Sequence, residues 1–112
     1  MKIEMETLDG GIVEVTLTGR MDQQGTEEIE GKLLDYAAAH RSVILDMNAV
    51  DMLTSMGIRI LLLLAKAVSR HGGKMALLNL DANVRKVVRI ARLDEVIPVY
   101  ESLEEARSAV SA

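Results

Sequence analysis

Residues 42–73 read SVILDMNAVDMLTSMGIRILLLLAKAVSRHGG. The run from Ser42 to Met47 is apolar throughout except for Asp46 near its end. A strand covered on both faces has this pattern, and such strands belong to parallel sheets flanked by helices. From about residue 55 to 71 the apolar residues recur with a helical period, and Gly72-Gly73 then closes the helix. An acidic loop containing Asp51, followed by Thr54-Ser55-Met56-Gly57, joins the two. The stretch is thus one strand–helix unit of an α/β fold.

The same pattern extends in both directions. Residues 2–7 and 11–17 are strand-like and flank Asp9-Gly10-Gly11, a hairpin signal. Val13, Val15 and Leu17 alternate with Glu14, Thr16 and Thr18, which leaves Ile12 as one apolar residue on the polar face. A helix is expected over 23–40, with Ile29, Leu33, Tyr36 and Ala37 on one face and Asp22 as its N-cap. Residues 74–80 form a second buried strand. Val84, Val87, Val88 and Ala91 mark an amphipathic helix over 83–93. Residues 95–99 read as a short edge strand, because a central strand does not tolerate Pro98. Ser102 and Glu105 form a capping box that opens a last helix. The order ββαβαβαβα implies a mostly parallel sheet of about five strands, with an N-terminal hairpin and four helices, in a single domain over 1–112.

Composition narrows the function. The chain has no cysteine, which excludes a thiol nucleophile and thiolate metal sites. His40 and His71 stand apart at predicted helix C-termini, where cations suit the dipole, so no metal site and no cofactor are expected. A net charge of −4 with mixed signs argues against nucleic acid as a partner. Two Tyr without Phe or Trp offer no platform for stacking bases. The apolar run Ile60–Ala65 is too short to span a bilayer, and the acidic N-terminus lacks a signal core. A cytoplasmic protein is expected. An enzyme is not: a nucleophilic Ser55 needs a base and an orienting group, and no spacing supplies them.

The helix that follows Thr54 has a distinctive surface. At about 100° per residue, Ser55, Arg59, Leu62, Lys66, Ser69 and Arg70 share one arc, and nearly all the rest is apolar. The helix is therefore expected to be buried on three sides and wet along one stripe. Leu62, flanked by Arg59 and Lys66, hints at a partner surface, with Met52 and Met56 as further apolar candidates. Leu53 reads as core. Thr54 is placed to cap the helix, its hydroxyl accepting from the N–H of Met56 or Gly57. Ser55 is then left at the mouth of the helix, where a phosphate would meet backbone N–H groups and the positive end of the dipole. Gly57 omits a side chain with which a partner or phosphate could collide. Spacing alone also fits Ser55 and Gly57 as merely small residues at a crowded turn.

The ordered set of segments resembles the STAS domain, specifically the stand-alone bacterial anti-sigma-factor antagonists. VTLTGRMDQQGTEEIEGKL is similar to the family's second strand, Gly-x-Leu-Asp turn and first helix. VILDMNAVDMLTSMGIRILL is similar to its central strand, acidic loop and Asp-Ser-x-Gly-Leu motif, and GGKMALLNLDANVRKVVRIARLDEVIPVYES to its last βαβ stretch. The resemblance implies a protein that binds an anti-sigma factor which is also its serine kinase. Phosphorylation of the motif serine ends the binding, and a metal-dependent serine phosphatase restores it. By position that serine is Ser55, the motif glycine is Gly57, and Asp22 and Asp46 shape the kinase-facing surface. Thr54 replaces the motif's Asp and is a second possible acceptor. The implied partner surface comprises Asp22, Met52, Thr54, Ser55, Met56, Gly57, Arg59, Leu62 and Lys66. The alternative is a STAS scaffold or regulator with a non-sigma partner, in a signalling complex, a secretion or biofilm switch, or beside a transporter.

Overall fold

A computed structural model describes residues 1–111. In chain order the strands are β1 (Lys2–Leu8), β2 (Ile12–Met21), β3 (Ser42–Leu53), β4 (Met75–Leu78) and β5 (Val99–Tyr100). The helices are α1 (Gln23–Ala39), α2 (Ser55–Arg70), α3 (Ala82–Ile90) and α4 (Leu103–Ser111). The expected order is thus observed, with a 3-10 turn at Leu93–Glu95 before β5. The five strands lie side by side in sequence order; β1 is antiparallel to β2 and every other pair is parallel. The hairpin turn needs left-handed backbone at two successive residues, and Gly10 (φ 80°) and Gly11 (φ 76°) adopt it without a Cβ penalty.

Three successive crossovers step in one direction across the sheet. Right-handed crossovers that all step the same way put their helices on the same face. Accordingly α1, α2 and α3 build the main core with Val13, Val15, Leu17, Val43, Leu45 and Leu77 of the strands. Among the described residues the opposite face carries only α4, whose Ala106 and Val110 cover Ile12, Ile44, Ala76 and Leu78. Ile12 is therefore not misplaced: it is 2% exposed beneath α4. The polar alternation of β2 applies only beyond the edge of that helix.

Several boundaries differ from the sequence expectation. β3 runs to Leu53, so the expected acidic loop is strand; Arg20 and Met21 at the end of β2 pair with Met52 and Leu53. Register shifts between Thr16 and Thr18 and between Gly19 and Arg20 let the two long strands stay paired through the irregularity. β4 ends at Leu78 and α3 at Ile90, because Asn79 and Arg92 take left-handed backbone (φ 57° each). Residues 95–98 are not strand: Glu95 ends the 3-10 turn, 96–98 are irregular, and only Val99 and Tyr100 pair with β4. Pro98 has no N–H with which to begin the ladder earlier.

Candidate functional site

β2 and β3 end together, with Met21 opposite Leu53, and each gives way at once to a helix. The N-termini of α1 and α2 consequently lie side by side at one edge of the molecule. Asp22 caps α1: its Oδ1 accepts from Gly25 N–H at 2.8 Å. That carboxylate is part-buried and committed to the cap, so its first role is to fix the start of α1.

Thr54 behaves differently from expectation. Its hydroxyl donates to the Met21 carbonyl at 2.7 Å, and among the described residues no side chain caps the first turn of α2. The Thr54 N–H reaches the same carbonyl at 3.2 Å. Thr54 thus fastens the α2 start to the end of β2 and leaves the leading N–H groups of α2 without a side-chain acceptor. Ser55, the first residue of α2, is exposed at that uncapped turn, whereas Thr54 is half-buried.

Gly57 also serves another purpose than the one expected. It is buried, and a Cβ on it would lie 2.6 Å from Leu53 Cδ1 and 2.9 Å from Met21 Cβ. It permits α2 to pack tightly on the strand ends; it does not clear space for a partner. Leu53 is core, 6% exposed.

On the outer side of α2, Ser55, Arg59, Leu62, Lys66, Ser69 and Arg70 are all exposed, and Leu63 joins them. The stripe is wider than helical spacing alone suggests. Arg59 does not point to Ser55: its Nη2 pairs with Glu30 Oε1 at 2.8 Å and ties α2 to α1. Met52 and Met56 are half-buried at the rim, and the Met52 sulfur contacts Arg20 Nη2 at 3.5 Å. Arg20 and Glu30 are the participants that sequence reasoning missed; neither bears a local motif, and only strand register and helix packing bring them here.

Asp46 is not part of this site. It sits opposite Thr16 in the register, on the α4 side of the sheet, and its Oδ1 accepts from Asn48 N–H at 3.0 Å. There it faces Glu14. Burial, then the charges of Asp46 and Glu6, push the Glu14 carboxyl above its ordinary range, with Arg107 opposing.

This geometry, two helix N-termini beside paired strand ends with an exposed serine leading α2, sits in a chain whose residues 2–106 match the STAS domain profile. The chain belongs to the STAS domain family. A Bordetella bronchiseptica protein named as an anti-sigma factor antagonist, BtrV, is 32% identical over 110 residues, covering 97% of this STAS chain and 94% of its own. The anti-sigma factor antagonist SpoIIAA in its unphosphorylated form superposes with a TM-score of 0.81 at 23% identity, over 97% of this chain and 96% of that one. The Bacillus SpoIIAA structure in the phosphorylated form superposes with a TM-score of 0.73 at 22% identity, over 97% of this chain and 99% of that one. At these identities the two SpoIIAA structures speak for the fold. This STAS domain shares it with both.

Proposed function

We propose that this STAS domain is an anti-sigma-factor antagonist in a partner-switching pathway. Unphosphorylated, it binds an anti-sigma factor that is also a serine protein kinase; phosphorylation of Ser55 releases it, and a metal-dependent serine phosphatase resets it. The chain itself performs no catalysis in this scheme and works in the cytoplasm. Among the described residues no helix is long and apolar enough to cross a membrane.

The observation that carries the proposal is the exposed Ser55 at an uncapped helix start, continuous with the Arg59–Leu62–Lys66 surface of α2. Phosphate adds about −1.5 to −2 charges at neutral pH. The N–H groups of the first turn and the helix dipole accommodate that charge locally. Asp51, exposed near the end of β3, opposes it. With Arg59 held by Glu30, the backbone is the principal local acceptor of the phosphate. The fold therefore tolerates modification, while a partner surface packed over Ser55 must desolvate the new charge and is expelled.

The test is affinity capture from the native host with mass spectrometry, comparing wild type, Ser55→Ala and Ser55→Asp. Wild type and Ser55→Ala should retain the same anti-sigma kinase, and Ser55→Asp should lose it by roughly tenfold or more, about 1.4 kcal/mol. With ATP, the captured kinase should phosphorylate wild type and Thr54→Val but not Ser55→Ala. Wild-type-like capture by both Ser55 variants would remove Ser55 from the switch.

A further inference from the structure

The opposite end of α2 borders a second feature. Two adjoining clefts of about 400 Å³ each share Ala65, Ser69 and Val96 and form one groove between α2 and the segment preceding β5. Volumes of this size, roughly 300–1,000 Å³, are typical of sites that hold a bound group. Its apolar lining includes Leu62, Val96, Pro98 and Tyr100, with Leu62 41% and Val96 60% exposed.

The floor of the groove is an unfinished sheet edge. Val43 N–H bonds to the Lys74 carbonyl, whereas Leu77 N–H bonds to Pro98 and Asn79 N–H to Tyr100. In a parallel ladder alternate residues bond to alternate sides. Even-numbered β4 residues therefore serve β3, and odd-numbered ones serve β5. Met75 belongs to the odd set, yet β5 pairs only with Leu77 and Leu78. Proline at position 98 has no N–H to offer the Met75 carbonyl. The backbone of Met75, which lines the groove, is directed at an edge that β5 does not cover.

Charge is the third feature. In a chain of net charge −4, the charged residues lining the groove are Lys66, Arg70 and Lys74, with no acidic residue among them. None of the three takes part in an ion pair among the described residues; those pairs involve the N-terminus, Lys2, Arg59 and Arg85.

We propose that this groove docks an extended acidic segment of a partner protein, which adds as a short strand to the open edge of β4 at Met75 and sets its carboxylates against Lys66, Arg70 and Lys74. Main-chain pairing supplies affinity in strand addition and alternate side chains supply selectivity. The apolar lining receives the residues between the acids. The site is centred on the C-terminal half of α2, away from Ser55, and borders the surface proposed for the anti-sigma partner at Leu62 and Lys66.

The probe is a short, end-blocked peptide alternating valine with aspartate, titrated into the ¹⁵N-labelled full chain, with the valine–lysine peptide as control. Saturable amide shifts are expected at residues 69–75 and 96–100, weakening as salt rises. Arg70→Glu combined with Lys74→Glu should weaken binding by about tenfold or more. Ser55→Asp should leave it within about twofold, so the site stands or falls independently of the phosphorylation switch. If the double variant loses its dispersed spectrum, Arg70→Glu alone, at an exposed helix position, is read instead. Absence of saturable shifts, equal binding of the lysine peptide, shifts centred on residues 55–59, loss on Ser55→Asp, or peptide-independent self-association through these residues would each overturn the proposal.

Discussion

The hydroxyl of Thr54 and the backbone N–H of Thr54 both end on the Met21 carbonyl, at 2.7 and 3.2 Å. Thr54→Val keeps the shape and removes one of these two bonds. Because the N–H remains, the loss should be modest, about 0.5–1.5 kcal/mol in urea unfolding, and the phosphorylation proposed at Ser55 should be unaffected. Gly57 is less forgiving. A methyl group there meets Leu53 Cδ1 at 2.6 Å and Met21 Cβ at 2.9 Å, and both are core side chains on the strand ends. Overpacking of this kind costs roughly 1–3 kcal/mol. Gly57→Ala should therefore lower the unfolding midpoint, although alanine is the better helix former at an unconstrained position. A stability equal to or above wild type would show that the strand ends yield to α2. Ser55 differs from Thr54 and Gly57 because it is exposed, so Ser55→Asp should weaken capture of the proposed partner and Ser55→Ala should keep it, with stability nearly unchanged in both.

Helix α2 joins two jobs along one axis. Its inner faces bury Ile60, Leu61, Leu64 and Val68, while its outer stripe runs from Ser55 to Arg70. Leu62 lies in the middle of that stripe at 41% exposure. A side chain this open contributes little to the core, so Leu62→Asp should alter unfolding free energy by less than about 0.5 kcal/mol. It should nonetheless weaken capture of the anti-sigma partner. Unimpaired capture would take Leu62 out of the interface. The extended β3 has a comparable double role. Val43, Ile44, Leu45 and Met47 are core, and residues 48–53 carry the pairing outward until β2 and β3 end together and launch α1 and α2 from adjacent points. That the starts of α1 and α2 adjoin follows from strand length and register.

For the whole molecule, the asymmetry of the two sheet faces has a titratable consequence. Three helices cover one face; α4 alone covers part of the other and leaves Glu14, Asp46 and Glu6 together beyond its edge. Burial and the two neighbouring carboxylates raise the Glu14 pKa in the folded state. The folded protein therefore holds this proton more tightly than the unfolded chain. The Glu14 contribution to stability declines as pH rises from the ordinary carboxylate range through the raised folded pKa, and is constant above it. Glu14→Gln removes the charge. The variant should be slightly more stable than wild type at neutral pH, with the gap closing as pH falls through the raised folded pKa into the ordinary carboxylate range and absent below it. Unfolding curves across pH check this; a gap that persists unchanged into acid would assign it to packing.

Local sequence determined the elements and their order, because hydrophobic period, the Gly10-Gly11 turn and the Ser102–Glu105 capping box act over a few residues. It also marked Ser55 as the exposed leader of α2, since helical spacing alone assigns the outer stripe. Tertiary structure decided the rest. The Thr54 hydroxyl has a carbonyl 33 residues away as its partner, which no local rule reveals, and so the capping role expected of it went unfilled. Gly57 is required by Leu53 and Met21 across a packed junction. Arg59 is claimed by Glu30 of another helix, and Asp46 lies on the far face of the sheet because side chains alternate along a strand. Each of these depends on what the register and crossovers bring into contact, and contacts between distant segments exist only once the chain has closed on itself.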